Sequence, residues 1–148
     1  MNFLGNIEAK VDNKGRFFIP AQFRKILQEH GEDRIVLKKD LYQPCLILYP
    51  ESIWNTELLE LKSKLNKWDR NHQLLLRQYV SDVEVLNLDI NGRILIPKRY
   101  LEMTQIQSEI RLIGLDDKIE IWSTTLTEKP FMDPDDFFKV LNEIMIKD

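Results

Sequence analysis

Apolar and polar positions alternate at the start of the chain. Ile7, Ala9 and Val11 are interleaved with Asn6, Glu8 and Lys10, the period-two pattern of a half-buried strand. Asp12-Asn13-Lys14-Gly15 interrupts it, and an apolar run resumes from Phe17 to Ile19 before Pro20. An Asp side chain bonds amides two residues on, and Gly accepts positive φ, so this segment predicts a tight chain reversal. Pro20 suits the first turn of a helix, and Gly31 is a reasonable stop for it.

The pattern then recurs. Val11-Asp12-Asn13-Lys14-Gly15-Arg16-Phe17-Phe18-Ile19-Pro20 matches Leu88-Asp89-Ile90-Asn91-Gly92-Arg93-Ile94-Leu95-Ile96-Pro97 at an offset of 77, from Asp12 to Asp89. At that offset Phe23 falls on Tyr100, and Arg34-Ile35-Val36 falls on Arg111-Leu112-Ile113. Leu46-Ile47-Leu48-Tyr49 matches Ile119-Glu120-Ile121-Trp122 at an offset of 73, so the second copy has a shorter loop. Each copy reads as strand, turn, strand, short helix, strand, strand. A unit of about 45 residues buries too little surface to be stable alone. The two copies are therefore expected to share one core as a pseudo-twofold unit, with their turns placed symmetrically.

Between the copies, Glu51 to Tyr79 reads as helical. Trp54, Leu58, Leu61, Leu65 and Trp68 form a narrow heptad-like stripe, expected to pack on the chain's own sheet or, alternatively, on another subunit. Near the C-terminus, Asp133-Pro134-Asp135-Asp136 has the form of a helix start, followed by Phe137, Val140, Leu141 and Ile144 on one face. The expected fold is α+β, mainly β. A first module spans 6–53, a helical linker 54–82, a second module 83–126 and an acidic helical tail 127–148.

Composition narrows the class. No apolar run approaches the roughly 20 residues needed to span a bilayer, and Met1 to Lys10 has no secretory pattern. One cysteine, Cys45, allows no disulfide within the chain. The expectation is a cytoplasmic protein with no membrane partner. The net charge of −3 is concentrated in Glu128–Asp148, which holds six acids and three bases. By contrast, Lys10 to Lys25 carries Lys10, Lys14, Arg16, Arg24 and Lys25 against Asp12 alone. Such a run can meet phosphates or simply be a solvated face.

Catalytic chemistry finds little support. His30 and His72 have no second ligand at metal spacing. Cys45 opens an apolar strand, where a thiol behaves as a small hydrophobe. Asp116-Asp117 reads as a turn between strands. Glycine-rich phosphate loops and nucleophile-elbow patterns are absent from the sequence. The chain is expected not to be an enzyme, with neither a metal nor a cofactor.

The informative surplus is the arginine pair. A single Asp-x-x-Gly-Arg is accounted for by hairpin geometry, but both copies keep Arg16 and Arg93 where the turn itself requires only glycine. A guanidinium stiffened by a nearby carboxylate suits bidentate bonds to guanine or phosphate. The candidate DNA-contacting residues are Asp12, Lys14, Arg16, Asp89 and Arg93, with Lys98 and Arg99 as further phosphate contacts.

At these residues the chain resembles the MraZ family of tandem SpoVT-AbrB-type modules. The resemblance covers about residues 1–127. It rests on the two Asp-x-x-Gly-Arg segments with their Ile-Pro flanks, on Pro44-Cys45-Leu46-Ile47-Leu48-Tyr49-Pro50 before Trp54, and on Leu112-Ile113-Gly114 followed by Ile119-Glu120-Ile121-Trp122. It implies AbrB-like swapped-hairpin modules around a β-barrel-like core. It also implies a nucleoid-associated bacterial regulator, acting at the promoter of the division and cell-wall gene cluster. Such a protein would form ring-shaped homo-oligomers on tandem direct repeats in double-stranded DNA, with Asp12/Arg16 and Asp89/Arg93 as contacts. Ile90, apolar in a turn, and a loop at Lys39–Gln43 without glycine depart from the family pattern. A protein-interaction role, as an AbrB-like antitoxin or a scaffold, is the alternative.

Overall fold

Strand-forming and helix-forming segments alternate in the same order in both halves. In this computed structural model, which describes residues 1–146, the first half contains β1 (Phe3–Lys10), β2 (Arg16–Phe18), α1 (Ala21–Glu29), β3 (Arg34–Lys39) and β4 (Leu46–Pro50). Two helices follow, α2 (Glu51–Lys64) and α3 (Arg70–Ser81). The second half contains β5 (Val83–Asn87), β6 (Arg93–Leu95), α4 (Lys98–Thr104), β7 (Glu109–Asp116) and β8 (Ile119–Ser123), before α5 (Pro134–Ile146). The last two positions of the expected 127–148 tail lie outside the described residues.

The strands form a six-stranded antiparallel sheet in the order β1-β7-β8-β4-β3-β5, and a separate two-stranded ribbon of β2 and β6. The first strand of each half thus lies on the third strand of the other: β1 pairs with β7 and β5 with β3. Register pins the relation between halves. Ile7 faces Leu112 while Glu84 faces Leu37, and Leu46 faces Ile121 while Leu48 faces Ile119. These ladders map onto one another when β3 and β7 are related by 75 residues rather than 77, so that Ile35 corresponds to Ile110. The expected match of Arg34-Ile35-Val36 with Arg111-Leu112-Ile113 is corrected accordingly. α4 is two residues shorter than α1, and strand pleating demands an even shift if apolar faces are to stay inside.

Two further expectations change. The sheet is open, with β1 and β5 as its edges, and is not closed into a barrel. Among the described residues the fold is α+β but not mainly β, because the five helices hold more residues than the eight strands. The helical stretch expected over Glu51 to Tyr79 is formed by two helices. Leu65 turns extended at ψ 143, and Asp69 then caps α3 by accepting from the amides of Asn71 and His72. The heptad-like stripe is broken there: Trp54 is buried, whereas Trp68 is 85% exposed.

Packing forms three layers. Ile35, Leu37, Leu46, Leu48, Ile110, Leu112, Ile119 and Ile121 project from one sheet face into the main core. They meet Phe17 and Ile94 from the ribbon, Phe23 and Leu27 from α1, and Tyr100 from α4. On the opposite face Val36, Ile47 and Tyr49 cluster with Trp54 of α2. The Trp54 ring stacks on Tyr79 of α3 at 5.7 Å between centroids. The shared core therefore lies between the sheet and the ribbon, and it holds the ribbon's buried side in place. α5 starts at Pro134 with Asp135 and Asp136 in its first turn, but its apolar residues Phe137, Phe138 and Ile144 remain exposed.

Candidate nucleic-acid interface

The first turn is organised by one carboxylate. Asp12 Oδ1 accepts from the amides of Lys14 and Arg16, both at 2.9 Å, and Oδ2 accepts from Arg16 Nε at 2.9 Å. The Asp12 amide donates to the Arg16 carbonyl, and the Gly15 amide to the Asp12 carbonyl, closing the reversal. The Arg16 amide above all, together with the Lys14 amide and the Arg16 guanidinium, holds the Asp12 carboxyl below its ordinary range. Arg16 is thereby held at the start of β2 with its side chain still one-third exposed.

The second turn keeps the backbone scheme. Asp89 Oδ1 accepts from the Arg93 amide at 2.9 Å, and the Gly92 amide donates to the Asp89 carbonyl. The side chains differ. Among the described residues the Arg93 guanidinium has no carboxylate partner, so Asp89 shapes the turn without clamping the arginine. Instead Arg24 of α1 reaches across and donates through Nη1 to the Asn91 carbonyl at 2.8 Å. At the position equivalent to Arg24 the second half carries Leu101, whose side chain lies against Gly15. Ile90, the apolar departure noted above, is exposed at the tip.

The ribbon joins the two turns. β2 and β6 are antiparallel, with Arg16 facing Leu95, Phe17 facing Ile94 and Phe18 facing Arg93. The Ile19 amide donates to the Gly92 carbonyl and the Ile96 amide to the Gly15 carbonyl, so each strand extends onto the other half's turn. Phe17 and Ile94 are buried in the core. Because side chains alternate across a strand, the opposite face carries Arg16, Phe18, Arg93 and Leu95. Along the ribbon the two arginines are separated by two residues, roughly 7 Å of strand rise.

The structure thus brings Asp12, Lys14 and Arg16 to one end of the ribbon and Asp89 and Arg93 to the other, with Lys14 and Lys98 exposed. Arg99 is engaged elsewhere. Its Nη2 bonds Glu84 at 2.6 Å and its Nε bonds Asp82 at 2.9 Å, and these carboxylates raise its pKa. The Arg99 guanidinium, expected as a further phosphate contact, is thus paired with two carboxylates of its own chain. Sequence reasoning placed Arg24 only in a basic run, and it gave no site role to Phe18 and Leu95. The last two carried a signal, since they occupy equivalent positions in the repeat and are large and apolar yet outward-facing.

These features define an α+β protein of two related halves that presents paired Asp–Arg hairpin turns at the ends of one two-stranded ribbon. The family model described as "MraZ protein, putative antitoxin-like" matches residues 2–77 and 81–130. A protein of Bacteroides fragilis named transcriptional regulator MraZ is 61% identical over 98% of this chain and 92% of its own length. One of Phocaeicola vulgatus with the same name is 59% identical over 98% and 94%. One of Shewanella oneidensis, also so named, is 37% identical over 81% and 78%. The chain belongs to the MraZ family.

Proposed function

We propose that the chain is a transcriptional regulator that reads double-stranded DNA with the β2–β6 ribbon. The carrying observation is that Arg16 and Arg93 share the solvent face of one ribbon whose other face is locked into the core. A two-stranded ribbon fits the major groove, and arginine is the side chain best suited to the O6/N7 edge of guanine. The roughly 7 Å between the two arginines along the ribbon matches about two nucleotide steps of 3.4 Å. Asp12 orients Arg16, Asp89 shapes the second turn, and Lys14 contacts phosphate. The names of its relatives and its family membership support regulation of transcription. Such a role calls for recognition rather than catalysis.

The finer reading follows the resemblance. Two AbrB-like modules, 6–53 and 83–126, are joined by the helical linker 54–82 and followed by the tail from 127. Homo-oligomers of the chain, arranged as rings, engage tandem direct repeats at the promoter of the division and cell-wall cluster in the cytoplasm. Linking several weak ribbons raises affinity through effective concentration, which offsets the absence of a strongly basic overall charge. The exposed apolar face of α5, including Phe137 and Ile144, supports self-association. No helix among the described residues is long and apolar enough to cross a membrane.

A titration of labelled DNA from upstream of the protein's own gene tests the reading. Arg16→Ala and Arg93→Ala are each expected to cost about 1–3 kcal/mol of specific binding with the fold retained. Affinity should fall steeply with salt as phosphate counterions are released. Specific binding retained by the double variant would refute the assignment. An antitoxin or scaffold would instead bind a protein partner and show no preference for this DNA.

A further inference from the structure

The two arginines do not occupy the ribbon face alone. Phe18 is 58% exposed and Leu95 is 51% exposed, directly across from Arg93 and Arg16 respectively. The four side chains therefore form a crossed quartet, with an arginine beside an apolar group at each end. The arrangement is not a by-product of core packing. The core takes Phe17, Ile19, Ile94 and Ile96, the alternate positions of the same segments. Outward positions on a short ribbon usually carry polar or charged groups, and the ribbon's own hydrogen bonds need neither residue to be apolar. Phe18 and Leu95 also fall on one another at the 77-residue offset of the repeat, so the apolar character recurs at one structural position.

We propose that Phe18 and Leu95 are specificity contacts for the 5-methyl group of thymine in the major groove. This inference rests on the reading of the ribbon as a DNA-binding element. The major-groove edge offers one apolar feature, the thymine methyl, alongside its donors and acceptors. A side chain beside an arginine on a rigid strand reaches the base step neighbouring the one the arginine reads. The exposed Lys14 beside the quartet complements a phosphate, while Arg16 and Arg93 share with the apolar pair the ribbon face that meets the base edges. Each end of the ribbon then reads a composite unit: a guanine through its arginine and a nearby thymine through the apolar residue opposite, which comes from the other half. Phe18 presents a ring and Leu95 a branched aliphatic group, so the two ends of the ribbon make different methyl contacts.

The probe is the DNA fragment upstream of the protein's own gene, amplified once with thymidine and once with deoxyuridine triphosphate, which removes the methyl groups and leaves the base-pairing edges. Full-length protein, Phe18→Ala, Leu95→Ala and the double variant are titrated against both by fluorescence anisotropy at several salt concentrations. Native protein is expected to prefer the thymine fragment by about fourfold for each methyl contacted, the worth of one buried methyl-sized group. The double variant should lose that preference, keep the salt slope and keep its circular dichroism and melting profile. Equal affinity of native protein for both fragments would overturn the inference, as would a double variant that still prefers thymine. Arg16→Ala/Arg93→Ala separates the two levels. If it abolishes binding while thymine and uracil fragments bind native protein alike, DNA reading stands and the methyl contacts fail. If native protein binds neither fragment specifically, both fail.

Discussion

The two turns share a backbone scheme but not their surroundings, so the same substitution should have unequal effects at Gly15 and Gly92. Both glycines have positive φ, +88° and +71°, and alanine there costs about 1–2 kcal/mol in either turn. At Gly15 an added Cβ would lie 2.8 Å from the Ile96 carbonyl oxygen, with Leu101 and Leu95 methyls at 3.4 and 3.6 Å. That oxygen is backbone, and the Ile96 amide is itself bonded to the Gly15 carbonyl, so relief requires moving the ribbon. Overpacking of this kind adds about 1–3 kcal/mol. At Gly92 the obstacle is Arg24 Cδ at 2.7 Å, part of a flexible side chain that can swing away. Its departure forfeits the bond to the Asn91 carbonyl, a loss of about 1 kcal/mol or less at a partly exposed site. Gly15→Ala is therefore expected to destabilise by about 2–5 kcal/mol and Gly92→Ala by about 1–3, with the larger loss at Gly15. Urea unfolding followed by the fluorescence of buried Trp54 and Trp122 reads the difference. In an Arg24→Ala background the cost of Gly92→Ala should shrink, and that of Gly15→Ala should not. Equal losses at the two glycines, or a larger loss at Gly92, would refute the reasoning.

Other outcomes follow from the same structure. The Asp12 carboxyl, held down by the Arg16 amide, should titrate below the ordinary aspartate value of 3.8 in a carbon-detected NMR titration. Because its folded pKa is depressed, its contribution to stability is present above the ordinary value and is lost as pH falls through the folded one. A midpoint at or above 3.8 would show that the turn bonds do not persist in solution. Cys45 is buried and its thiol pKa is raised by burial, so it should resist Ellman's reagent in the native protein and react on unfolding. Rapid labelling of the native state would contradict its placement. Tyr100 donates its hydroxyl to the backbone carbonyl of Asp82 beneath α4. Tyr100→Phe should cost about 1 kcal/mol in thermal or urea unfolding by leaving that carbonyl short of a partner, and a neutral result would argue against the bond.

Much of this protein was legible in local pattern. Alternation around Ile7 to Val11, the Asp-Gly turns and the proline before each first helix reflect preferences that a residue and its near neighbours express by themselves. The element order of both halves followed from these, and so did the recurrence of Arg16 and Arg93. Where the outcome depended on distant partners, the pattern was silent. β1 could satisfy its alternation against either β3 or β7, because pleating specifies which face is apolar and not which strand lies alongside. Only the shared core selected β7, set the offset of 75 from Ile35 to Ile110, and left the sheet open. The same division runs through the interface. Sequence marked both arginines alike, but Arg16 is clamped by Asp12 and Arg93 is not, while Arg99 of α4 is claimed by Asp82 at the end of α3 and Glu84 of β5. The fate of a long charged side chain is decided by whichever opposite charge the fold brings within reach. That is a tertiary property, and so is the ribbon face on which Arg16, Phe18, Arg93 and Leu95 meet.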